Sequence, residues 1–141
     1  MEQRDYVMSP EYREVIQSKL AHDFWFMNIN KPDIWNPDFN WSDNCFLMEW
    51  GNGWCEAFYD LCRQLLVEVK ADFQWIQLKE KFGTARCYYT GCITPYGQEL
   101  IEIFEHETKE ICEFCGAPGQ LRNTDWIKCM CDECMEEIDK R

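Results

Sequence analysis

Between Gly53 and Val69 the residues Trp54, Ala57, Phe58, Leu61, Cys62, Leu65, Leu66 and Val69 recur at i, i+3, i+4, i+7, i+8 and i+11. This is the period of an amphipathic helix with one face to a core. Upstream, Ser9-Pro10-Glu11 reads as an N-cap, a proline in the first helical position and an early acid, and Val15, Ile16 and Leu20 follow at helical spacing. The pattern predicts a first helix from Pro10 to Asp23. From Phe24 to Trp54 the period dissolves into nine aromatics with Lys-Pro and Asn-Pro breakers, so this stretch reads as a long irregular segment. After the second helix, QWIQLKEKF and TARCYYTGC are rich in β-formers and meet at Gly83. They predict a hairpin with Ile76 and Leu78 on one face, shared by Ala85, Cys87 and Tyr89. Beyond Thr94-Pro95, the residues Leu100, Ile101, Phe104, Thr108 and Ile111 predict a third helix that runs into a cysteine cluster.

That cluster changes the picture. Five cysteines fall between Ile111 and Cys134, and a tetrahedral metal site takes four. Cys112-Glu-Phe-Cys115 and Cys131-Asp-Glu-Cys134 are two CxxC pairs fifteen residues apart, the spacing of a zinc site. Two intervening residues let both sulfurs of a pair face one ion, and Gly116 tolerates the tight exit turn. Cys129 breaks the frame. It lies in a short strand from Trp126 to Met130 and reads as a small packing residue. The ligand set is therefore Cys112, Cys115, Cys131 and Cys134, with one structural Zn2+. Four thiolates leave no open position for water, so this centre does not predict catalysis.

The residues KEKFG at 79–83, CEFCGAPGQLR at 112–122, Trp126 and CDEC at 131–134, with Gly51, Gly53 and Trp54 before them, resemble an uncharacterised family of small phage and bacterial proteins. Its shared pattern is GW…KEKFGGLRFY…CEVCGxPGxLR…W…LCDxH. In this chain Thr84 stands for the second Gly of the pattern, Ala85-Arg86-Cys87 for its Leu-Arg-Phe, and Cys134 for what is often a histidine. The resemblance covers about Gly53 to Cys134 and implies a zinc ribbon and a phage or prophage context. The fold expected is α+β: a small helical and β-hairpin domain with a C-terminal four-cysteine zinc ribbon of treble-clef or zinc-knuckle type. Residues 1–98 would hold a helix, the aromatic loop, a helix and the hairpin core. Residues 99–141 would add a helix and the zinc module, all in one compact unit.

A 46% hydrophobic content over 141 residues suffices for a core. The N-terminus has no apolar run after its charges, and no window approaches a membrane span. The ten cysteines are thus expected to be reduced, in the cytoplasm of a bacterial host. Net charge is -12, which opposes binding to double-stranded DNA. Residues 99 to 141 carry 12 acids and 5 bases, or -7 of that total.

The class this supports is a non-enzymatic interaction protein: an anti-CRISPR-like inhibitor that mimics nucleic acid toward a basic, nucleic-acid-handling or defence protein of the host. Candidate partner residues are Glu99, Glu102, Asp132, Glu133, Glu136 and Glu137, with Trp35 and Trp41 from the aromatic segment. Two other classes are carried. One is a nucleic-acid-binding zinc ribbon using Lys79, Lys81, Arg86, Arg122 and Lys128. The other is a sponge for a nucleotide signal, built on the aromatic loop. Lys79 and Lys81 are expected on the solvent side of the hairpin, with Glu80 turned to pair with Arg86 or Arg122. His22 and His106 sit in no catalytic motif.

Overall fold

A computed structural model describes residues 3–123 and 125–139. The chain is α+β, with five helices and two small sheets in that span. Helix α1 (Gln3–Val7) turns at Met8-Ser9 into α2 (Pro10–Asp23). Ser9 is the predicted N-cap, its hydroxyl accepting the Tyr12 N–H at 3.2 Å, with Pro10 in the first turn. The irregular segment that follows folds through a 3₁₀ turn at Trp25–Met27 into the two-residue strand β1 (Met48–Glu49). A second 3₁₀ turn at Asn52–Trp54 leads into α3 (Cys55–Leu65). Strands β2 (Gln74–Lys81) and β3 (Thr84–Thr90) form the hairpin, and α4 (Pro95–Glu107) crosses back over it. Strands β4 (Gln120–Asn123) and β5 (Ile127–Met130) and helix α5 (Asp132–Asp139) complete the chain.

The larger sheet has the order β1-β2-β3, with β1 parallel and β3 antiparallel to β2. The β2–β3 turn is Phe82-Gly83, both at positive φ (53° and 81°), the geometry that matches the twist of a two-residue hairpin. One expectation fails here. The register shifts between Trp75 and Gln77, and this bulge turns Ile76 out to solvent at 61% exposure while Trp75 and Leu78 face the core. A single inserted residue flips the side-chain alternation. Ala85 and Cys87 do lie buried on the core face, with Tyr89 packed against it. The predicted second helix also ends early, at Leu65, and Val69 instead bridges to Ile93.

The core packs Leu20, Phe24, Met27, Trp54, Phe58, Leu65, Phe73 and Leu78, all fully buried, between α2, α3, α4 and the sheet. Trp50, Phe58 and Phe104 meet at ring distances of 5.1 to 5.8 Å. The free edge of β3 is closed by side chains. Thr108, fully buried, accepts the Ala85 N–H at 2.9 Å, and Glu105 accepts the Cys87 N–H at 2.8 Å. On the opposite edge, Arg13 donates to the carbonyls of Met48 and Trp50. Both edges are thereby withheld from pairing with another strand. The boundary between residues 98 and 99 falls inside α4. No helix among the described residues is long and apolar enough to cross a membrane.

Candidate metal centre

Helix α4 tightens into a 3₁₀ turn at Thr108–Glu110, and the chain then curls at Cys112–Gly116. The curl is held by the Cys112 N–H donating to Ala117 O at 2.7 Å and the Gly116 N–H donating to Cys112 O at 3.0 Å. Gly116, at φ 83°, makes the exit turn. The β4–β5 hairpin follows and delivers Cys131 to the start of α5, with Cys134 in its first turn. Cys131 caps this helix: its Sγ accepts the Cys134 N–H at 3.4 Å. Arg122 holds both flanks of Cys131, donating to Met130 O at 3.0 Å and pairing with Asp132 at 2.8 Å.

The result is one cluster. The Sγ atoms of Cys112, Cys115, Cys131 and Cys134 all lie within 4.8 Å of one another, and all four residues are buried. The Cys115 and Cys131 sulfurs are 3.6 Å apart; sulfurs on a tetrahedron with bonds of ~2.3 Å stand about 3.8 Å apart. Burial pushes the Cys115 thiol up to about 11 and Cys134 higher still. At Cys131 burial is outweighed by the N–H of Cys134 and the neighbouring thiols, and the thiol falls below its ordinary range. A helix start favours a thiolate in this way. Four buried sulfurs converging on one point suit a single soft or borderline cation.

Cys129, two positions before the second pair begins, is left out of the cluster. Its side chain is fully buried and its Sγ–H donates to Lys109 O at 3.1 Å. It packs with the main core, as a small apolar side chain would.

The centre is built onto the first half of the chain. The Gly53 N–H donates to Glu113 O at 2.7 Å, and the Gly51 N–H donates to the Glu113 carboxylate at 3.0 Å. A Cβ on Gly53 would lie 2.1 Å from Cys112 O. Trp54, fully buried, donates its indole N–H to Ile111 O at 2.8 Å, just ahead of Cys112. At the hairpin tip, a Cβ on Gly83 would lie 2.4 Å from the Leu121 side chain. The Gly-Trp motif therefore touches the CxxCG knuckle, and the Lys-Glu-Lys-Phe-Gly turn lies against the β4–β5 hairpin that follows it.

Glu80 does not pair with Arg86 or Arg122. It binds Lys128 at 2.9 Å and accepts the Gly83 N–H, while Lys128 also reaches the buried Glu113 carboxylate at 3.4 Å. Of the acids considered for a partner surface, Asp132 pairs with Arg122, and Glu133 and Glu137 pair with Arg4. Glu99, Glu102 and Glu136 are exposed. Trp41 is half-buried against Phe39 and His22, whereas Trp35 is 89% exposed. Sequence reasoning missed Arg4, Glu113 and Lys128 as supports of the centre. The middle of a CxxC pair and a residue 130 positions upstream carry no local signal of such a role. Compared with known protein families, curated proteins and solved structures, the chain matches none.

Proposed function

We propose that this chain is a non-enzymatic, zinc-stapled interaction protein that docks on a basic, nucleic-acid-handling host protein. The metal is Zn2+, since four thiolates in a closed tetrahedron are its usual structural site. Knuckle, hairpin and a helix with Cys131 at its cap and Cys134 in its first turn follow in the order of a treble clef. The centre leaves no position for substrate, so it supplies stability and a fixed frame. The resemblance to small phage and bacterial proteins supports a phage or prophage origin, and with it a role as an inhibitor of a host defence protein.

The observation that carries the interaction reading is the tip Ile34-Trp35, 70% and 89% exposed. Its backbone is preset by local hydrogen bonds. Asp33 Oδ1 accepts the Trp35 N–H at 3.3 Å, Asp33 O accepts the Asn36 N–H at 3.2 Å, and Asn36 Oδ1 accepts the Asp38 N–H at 3.0 Å. A large indole on an already ordered loop loses little entropy on docking, which is how an interface hot spot forms. Along the same segment Asp33, Asp38 and Asp43 stand against one base, Lys31. A pocket with a basic rim on the partner is the complement. Three of the six acids are engaged in internal pairs, so the tryptophan, more than the acidic helix, anchors the contact.

Affinity capture from a bacterial lysate tests this with the wild type, Trp35→Ala and the control Val67→Ser, the last at another exposed apolar position. A basic protein retained by the wild type and the control but lost by Trp35→Ala supports the reading. Partners indifferent to Trp35 would overturn it. Binding of double-stranded DNA at about 150 mM salt is not expected, because contacts with phosphate must overcome a charge of -12. Lys128 and Arg122 are held in internal ion pairs. That leaves the nucleic-acid reading with Lys79, Lys81 and Arg86.

One observation favours the nucleotide reading: a cavity of about 270 Å³ lined by Trp25, Phe26, Phe46, Phe73 and Trp75 with Asn28 and Gln74. It is smaller than the roughly 300–1,000 Å³ of ordinary ligand pockets, enough for a base but not for a dinucleotide. Quenching of tryptophan fluorescence by nucleotides that Trp25→Ala abolishes would favour this reading over the first.

A further inference from the structure

Arg4 lies on α1, 130 residues from the last cysteine, yet its Nη2 is 3.2 Å from Cys134 Sγ. The same guanidinium is held by Glu137 at 2.9 Å and Glu133 at 3.4 Å. These acids flank Cys134 one residue before it and three after it, so α5 forms a cradle that turns a cationic N–H toward one sulfur. The Arg4 side chain is 14% exposed, and a guanidinium keeps its charge at any ordinary pH. Its position does not depend on the sulfur alone. Asn52 donates to Val7 O at 2.8 Å and Ser9 O at 3.0 Å, and accepts from Arg13 at 2.7 Å. These bonds fix the α1–α2 corner to the loop whose Gly53 touches the knuckle.

We infer that Arg4 is a positioning residue of the metal centre, donating a charge-assisted hydrogen bond to the Cys134 thiolate and so slowing loss of the ion. The inference rests on the zinc reading above. A divalent ion with four thiolates is formally -2, and this charge sits among buried residues. A cation at one sulfur offsets part of it and makes that sulfur a poorer base and a poorer nucleophile. Protonation or attack at a thiolate is the first step of metal loss, and Cys134 is the ligand so shielded. The N-terminal helix is thereby an outer layer of the site.

The test compares the wild type, Arg4→Met and Arg4→Lys, each purified without chelator. Metal content comes first: a wild type without bound metal would sink both this inference and the zinc reading. With metal bound, transfer of zinc to a chromogenic chelator is timed. Arg4→Met should release it roughly ten- to hundred-fold faster, the usual effect of losing an outer-layer partner, with Arg4→Lys between. A second readout separates this role from simple packing. In the Co2+-substituted protein the sulfur-to-metal charge-transfer band should move to longer wavelength in Arg4→Met. Without the hydrogen bond the sulfur electrons lie higher in energy. Equal release rates and an unmoved band would reduce Arg4 to an ion pair with Glu133 and Glu137, leaving the zinc reading intact.

Discussion

The Gly53 N–H donates to the Glu113 carbonyl at 2.7 Å, and this bond joins the 3₁₀ turn ahead of α3 to the middle of the first CxxC pair. The approach is so close because Gly53 has no side chain. A Cβ there would meet Cys112 O at 2.1 Å, Gly116 N at 2.6 Å and Glu113 C at 2.7 Å, all backbone atoms. Gly53→Ala must push the knuckle away. Its cost should reach or exceed the ~3 kcal/mol upper end of ordinary substitutions, and the bound metal should exchange more readily. Urea denaturation with parallel metal analysis measures both; wild-type stability would show the knuckle to be loosely seated.

Lys128 stands between two carboxylates, Glu80 and the nearly buried Glu113. Burial raises the Glu113 pKa, and Lys128 is the first influence that brings it back down. Removing the cation leaves a buried carboxylate without its counter-charge, a loss of about 3–5 kcal/mol in comparable pairs. Lys128→Met should fall in that range. The double variant Lys128→Met/Glu113→Gln should recover part of the loss, since a Gln oxygen still accepts the Gly51 N–H. A double-mutant cycle by chemical denaturation gives the coupling, and additive effects would mean that Lys128 acts only through Glu80.

Two neighbouring cysteines should behave oppositely. Cys131→Ser removes a sulfur of the proposed metal site and the cap of α5, and metal content should fall sharply. Cys129→Ser keeps a donor for Lys109 O and should leave one equivalent bound, with a modest loss of stability for a polar atom in the core. Elemental analysis of the two variants decides; the reverse result would reassign the ligands.

Glu105 offers a pH dependence with a definite sign. Burial raises its pKa, offset only in part by the Cys87 N–H it accepts and by Arg86. A carboxyl whose folded pKa exceeds its unfolded value favours folding while protonated. That contribution is complete below the unfolded value of about 4.3 and is lost as pH rises through the folded value. Glu105→Gln keeps the acceptor without the charge. It should match the wild type near pH 4 and be the more stable of the two at pH 7. Denaturation midpoints of both proteins at the two pH values check this, and any loss of metal in acid affects them alike. A variant less stable at pH 7 than at pH 4, relative to the wild type, would contradict the assignment.

Much of this protein is written locally. The period of 54–65 makes α3, Ser9-Pro10 opens α2, Phe82-Gly83 turns the hairpin, and two CxxC pairs mark four sulfurs that the fold brings together. Each of these depends on residues a few positions apart, where the geometry of a helix turn, a two-residue loop or a knuckle translates spacing directly into structure. The exclusion of Cys129 was legible for the same reason. What the tertiary structure alone decided lies at long range. The bulge at Trp75–Gln77 reverses Ile76, because core shape and not alternation fixes the register there. Strand β1 joins the sheet from within an aperiodic segment, since parallel pairing leaves no mark in two residues. Arg4 meets Cys134, and Lys128 meets Glu80 and Glu113, because packing the two halves together closes those distances. A charged side chain reads alike in sequence whether it ends in water or against a buried partner.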